Sequence, residues 1–114
     1  MYPNRLFAKP LPQSDQEMLI DAFKGRLLGF QGIKHLYLIG SASTFEMTDA
    51  SDLDFVAVFT LQNDLDKAKS QFYGTPRPVD WPCDVLWYTE ENFLQKSNSG
   101  GVCMIAAQDG RKLL

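Results

Sequence analysis

The stretch GSASTFEMTDASDLDFVAVF, Gly40 to Phe59, constrains this chain most: a glycine-serine turn leads to two aspartates separated by one leucine. In an extended strand successive side chains point to opposite faces. Asp52 and Asp54 therefore project from one face, and Leu53 and Phe55 from the other. Two anionic groups so close repel each other unless they share a proton, stay in water or bind a cation. A hard divalent ion, which takes oxygen ligands, is the simplest partner for such a platform.

The rest of the chain reads as support for that platform. Residues 1–13 carry three prolines, Pro3, Pro10 and Pro12, and are expected to form an extended arm that wraps the surface. Ser14 and Glu17 have capping-box spacing, and Leu19, Ala22, Phe23, Leu27 and Phe30 recur at helical intervals. The spacing predicts an amphipathic helix over about 15–30, ended by Gly29 and Gly32. Residues 33–39 contain the apolar run HLYLI and read as a buried strand. At Gly40-Ser41 the chain turns; glycine lets another group approach the backbone, and residues 42–46 open a short helix whose free amides attract phosphate. By itself a Gly-Ser pair after a strand is only a turn.

Residues 53–59 are apolar enough for a central strand. Weak helical character follows over 63–72, and the glycine and prolines of YGTPRP then break regular structure. CDVLWY, 83–88, reads as a third strand with Asp84 set into an apolar run, which is either a second functional carboxylate or a solvent-facing residue on an edge. Thr89 followed by two glutamates caps a helix to about 95, and residues 102–107 suggest a last helix. No repeat or linker divides the chain, so 1–114 is expected to be a single domain.

Composition narrows the class of function. With 114 residues and 45% hydrophobic side chains, a domain of this kind buries roughly two-thirds of its unfolded surface. Eleven basic residues against fourteen acidic ones, scattered from Arg5 to Lys112, form no stripe for nucleic acid. No apolar run is long enough to cross a bilayer, and MYPNRLFAKPLPQ lacks a signal-peptide core, which points to a cytoplasmic protein. Cys83 and Cys103 lie far apart and read as reduced thiols packed as small apolar residues. His35, with no second ligand near it in sequence, reads as structural or solvent-facing.

Taken jointly, Gly40-Ser41, a ten-residue interval, Ser51 before Asp52-Leu53-Asp54, and Asp84 about thirty residues on resemble the nucleotidyltransferase superfamily of DNA polymerase beta, and its minimal nucleotidyltransferases most closely. The resemblance covers roughly residues 35–95. It implies an α/β (α+β) fold with a small mixed sheet flanked by helices. It also implies that Asp52, Asp54 and Asp84 hold Mg²⁺ or Mn²⁺, that Gly40, Ser41 and Ser51 bind the nucleotide, and that Asp84 helps deprotonate an acceptor hydroxyl. The implied reaction moves a nucleoside monophosphate from a nucleoside triphosphate to that hydroxyl. Family members this small often work with a helical partner protein of the HEPN type, in toxin–antitoxin or similar pairs.

Two positions depart from the family pattern. Ala42 stands where an arginine is frequent and Phe45 where a second glycine is. A bulky residue does not readily take the positive φ of a glycine, so the loop is expected to run differently or to close over the site, weakening triphosphate binding. That departure favours a second reading, a catalytically degenerate nucleotide-binding or partner-binding module, antitoxin-like. In a third, the aspartates are solvated strand ends of an unrelated α/β domain.

Overall fold

The computed structural model describes residues 8–114, and the sheet at its centre is organised by a single strand, β2 (Leu53–Phe59), in which every residue except Asp54 is buried. The continuous apolar run makes this possible, because a strand covered on both faces needs no polar alternation. β1 (Ile33–Ile39) pairs with it antiparallel, with Leu36 opposite Ala57 and Ile39 opposite Asp54. β3 (Cys83–Thr89) pairs with its other edge in parallel, with Asp54 opposite Asp84 and Val56 opposite Leu86. A two-residue strand, β4 (Arg111–Lys112), closes the far side of β1, giving the order β3-β2-β1-β4. The fold is α+β with a mixed sheet, as expected.

α1 (Gln13–Leu28) and α2 (Gln62–Gly74) bury Ile20, Phe23, Leu27, Leu65, Ala68 and Phe72 with Leu53, Phe55, Ala57 and Phe59 of the sheet. α3 (Glu90–Ser97) and α4 (Val102–Asp109) contribute Phe93, Cys103 and Ala106 to a smaller cluster with Tyr37, Val56 and Val58. The alternation of β2 thus sends odd-numbered residues to one core and even-numbered residues to the other. Each large apolar side chain fully removed from water stabilises the fold by about 1.5–3 kcal/mol, so Phe23, Phe55 and Phe59 hold the larger core.

Helix ends follow local chemistry, with one correction. Thr89 Oγ1 accepts a hydrogen bond from the Asn92 amide at 3.3 Å and caps α3, as its sequence predicts. Ser14 does not cap α1. The helix starts one residue before it, with the Pro12 carbonyl accepting from the Asp15 and Gln16 amides at 3.1 Å each. Pro12 is the N-cap, its ring fixing a φ of −57° with an extended ψ of 147°, so the chain passes from the arm directly into the helix. Gln13 Nε2 then donates to Glu17 Oε1 at 3.3 Å, so the glutamate faces along the helix instead of back to the cap.

Of the expected N-terminal arm, residues 1–7 lie outside the described residues. Residues 8–12 run along the connection before β2. The Leu11 amide donates to the Met47 carbonyl at 3.0 Å, and the Asp49 amide to the Lys9 carbonyl at 3.0 Å. Pro10 and Thr48 form an isolated bridge. Among the described residues, no helix is long and apolar enough to cross a membrane.

Candidate active site

The six candidate site residues, Gly40, Ser41, Ser51, Asp52, Asp54 and Asp84, come to one end of the sheet. β1 ends there at Ile39, directly opposite Asp54, while the parallel strands β2 and β3 begin there. Adjacent strands lie about 4.8 Å apart, so the register that sets Asp54 beside Asp84 makes their side chains neighbours on the same face. Asp52 precedes β2 by one residue and lines the same cleft as Asp54.

The chain leaving β1 folds at once into a 3-10 helix, Gly40–Thr44. Gly40 has a φ of +73°, and a Cβ built there would stand 3.3 Å from Asp54 Oδ2. Glycine permits both the backbone conformation and the close approach. The turn is fastened by Ser43 Oγ donating to the Gly40 carbonyl at 2.7 Å and by the Glu46 amide donating to the Ser41 carbonyl at 2.9 Å.

Phe45 corrects the expectation that the loop must run differently. It adopts a φ of 57° and a ψ of 35°, the left-handed conformation a glycine would take. Two contacts hold it there. Its ring packs on the larger core under the Arg111 guanidinium, 4.4 Å from the ring centroid, and its carbonyl accepts from Gln16 Nε2 at 3.1 Å. Gln16 is itself buried and fully used: Nε2 also donates to the Leu11 carbonyl at 2.8 Å, and Oε1 accepts from the Met47 amide at 3.2 Å. One side chain of α1 thereby ties the arm, the 3-10 helix and the next connection together. Nothing in the helical spacing marked Gln16 for this task, and Arg111 lies beyond 102–107, the last element read from the sequence.

Ser41, Thr48, Ala50, Ser51, Asp52 and Asp54 line a cleft of about 390 Å³, with Ala8 of the arm at its margin. Ser51 reaches the cleft, but its oxygen also accepts from the Thr48 amide at 2.9 Å and thus braces the turn before Asp52. Asp84 belongs to the lining of a second cleft of about 390 Å³, with Phe23, Phe72, Tyr73, Thr75, Arg77 and Cys83. The two carboxylates in register therefore belong to the linings of two different clefts.

Electrostatics at this sheet end are one-sided. Among the described residues, none of Asp52, Asp54 and Asp84 forms an ion pair. The Asp54 carboxyl is pushed up from its ordinary range, first by burial and then by the charges of Asp84 and Asp52. Cys83 is pushed up to about 12 by burial, Asp84 and Asp54, against a lowering by Arg77, so it stays a protonated thiol and no nucleophile. Both cysteines are free, and Cys103 is buried. His35 is half-buried, with Nδ1 3.2 Å from the Leu114 carbonyl.

Three carboxylates without a countercharge offer the kind of oxygen donors that a hard divalent cation takes. Among the described residues, no three His, Cys, Asp or Glu side chains are gathered closely enough to hold an ion already. The donor chemistry fits such an ion, and the carboxylates would have to swing inward to share it.

No family model matches the chain, and no curated protein matches it. Among solved structures, the chain is similar to a Sulfolobus solfataricus protein provisionally described as a nucleotidyltransferase, at 19% identity and a TM-score of 0.47, over 73% of this chain and 75% of that one.

Proposed function

We propose that the chain is a metal-dependent nucleotidyltransferase that moves a nucleoside monophosphate from a nucleoside triphosphate to a hydroxyl acceptor. One observation carries the reading: Asp54 and Asp84 stand in register at the sheet end where Asp52 and the Gly40-Ser41 turn also meet. In this reading Asp52, Asp54 and Asp84 hold Mg²⁺ or Mn²⁺, which when bound neutralises charge developing on the transferred phosphoryl group. Gly40 leaves its backbone open to the triphosphate, and Ser41 lines the same cleft. Asp54 is half-buried, so its charge acts in a medium less polar than water and is felt more strongly by whatever binds there. Asp84 accepts the hydrogen bond of the acceptor hydroxyl and takes its proton as the new bond forms.

A second reading, a binding module without turnover, is favoured by Ala42. Its side chain is wholly buried, so the 3-10 helix carries no cation toward the triphosphate. Incubation with α-labelled triphosphates, Mg²⁺ and fractionated small-molecule and protein acceptors separates the two. Transfer of label with matching release of pyrophosphate, lost in Asp84→Asn, supports the enzyme. Tight triphosphate binding with no transfer from any fraction, including a helical partner protein of the HEPN type, supports the module.

A further inference from the structure

The second cleft takes no part in the triphosphate site proposed above, and Asp84 of its lining stands in register with Asp54 of the first. A transfer between two substrates needs two cavities that meet where the bond forms. Resting on the transferase reading above, we propose that this second cleft is the acceptor site, and that Arg77 selects a small anionic acceptor with a flat apolar body and a hydroxyl.

The lining specifies that chemistry. Buried rings of Phe23 and Phe72 form an apolar floor, and Tyr73 stands exposed at the margin. Tyr73 is fixed in place: its hydroxyl oxygen accepts from Trp87 Nε1 at 3.3 Å, and its ring meets those of Phe72 and Trp87 edge-on, with centroids 5.3 and 6.1 Å away. A flat group laid against these rings is held at little entropic cost. Arg77 supplies the charge. Among the described residues it forms no ion pair, and its Nη1 donates to the Trp81 carbonyl at 3.2 Å, which leaves other N–H groups of the fork for a carboxylate or phosphate.

The segment that presents Arg77 is stiff. Pro76 and Pro78 flank it, and Arg26 of α1 donates to the Pro76 carbonyl and to Thr75 Oγ1. Thr75 Oγ1 in turn donates to the Gln71 carbonyl at 2.9 Å. Asp84 contributes to the lining of the same cleft. With the anion on Arg77, the acceptor hydroxyl gives its proton to Asp84 while its oxygen bonds to the α-phosphorus. The bond from that phosphorus to the bridging oxygen breaks, and pyrophosphate leaves with the electron pair.

The test uses 4-hydroxybenzoate as probe, with phenol and benzoate as its truncated forms, titrated into the ¹⁵N-labelled full chain without nucleotide. The expected result is saturable shifts in the amides of residues 73–77 and 83–85. Binding should weaken roughly tenfold or more in Arg77→Gln and for phenol, as loss of a charge-assisted hydrogen bond does, and less in Arg77→Lys, which keeps the charge. Shifts confined to residues 41–54, no saturable binding, or equal affinity in Arg77→Gln would overturn the proposal, as would competition between the probe and Mg²⁺ with a non-hydrolysable triphosphate. Probe binding by a chain that takes up no triphosphate would remove the transferase reading and the acceptor role with it, leaving only an anion cavity.

Discussion

The backbone of Gly40 lies against the carboxylate of Asp54, so close that a Cβ at position 40 would stand 3.3 Å from Oδ2. Gly40→Ala meets this crowding and a φ of +73° together. The left-handed conformation alone costs an L-residue about 1–2 kcal/mol. The variant is expected to melt several degrees lower and to lose more of its response to Mg²⁺ and triphosphate than its lost stability explains. Thermal unfolding with and without both ligands checks this.

Asp54→Asn should stabilise the metal-free protein at neutral pH. A carboxyl whose folded pKa lies above its unfolded value binds its proton more tightly in the folded chain. Its contribution is full at pH below the unfolded value of about 3.9 and is lost as pH rises through the folded value. The variant should therefore melt a few degrees above wild type at pH 7, and the difference should vanish toward pH 3. Adding Mg²⁺ at pH 7 should raise the melting point of the wild type more than that of the variant.

Gln16→Leu keeps the side-chain volume and removes three hydrogen bonds. It leaves the Leu11 and Phe45 carbonyls and the Met47 amide without their partner. Each buried polar group left unsatisfied costs about 1–3 kcal/mol, in part relieved by water. Chemical denaturation should show a loss of about 2–4 kcal/mol, with hydrogen exchange accelerating at Phe45 and Met47 before the sheet amides.

Arg111 and Phe45 should be energetically coupled. The guanidinium over the ring contributes about 0.5–1 kcal/mol at a partly exposed site. A double-mutant cycle of Arg111→Ala and Phe45→Leu should return a coupling of that size. Phe45→Gly, which relieves the positive φ but discards the ring, should destabilise less than Phe45→Ala.

β1 and β2 are legible in the sequence because each is an apolar run bounded by turn chemistry, and both match the expected 33–39 and 53–59. Period two also places Asp52 and Asp54 together. What no spacing encodes is register. The adjacency of Asp54 and Asp84 depends on parallel pairing across a helical crossover, and the sequence shows only that each carboxylate interrupts an apolar strand. β4 escapes for a related reason: Arg111 and Lys112 have no apolar pattern and become a strand only because the outer edge of β1 is open to them. The left-handed Phe45 escapes because local propensity argues against it, and tertiary contacts from Gln16 and Arg111 override that propensity. Arg77 escapes because a lone basic residue between prolines has no signature until the fold brings it to the cleft that Asp84 also lines.

Isothermal titration of Mn²⁺ at pH 7, with and without a non-hydrolysable triphosphate, tests most directly whether the carboxylates of two strands serve one cation. Binding strengthened by the triphosphate, and removed equally by Asp54→Asn and by Asp84→Asn, is the predicted result. An isotherm unchanged by Asp84→Asn, or no Mn²⁺ binding in the presence of triphosphate, would contradict it.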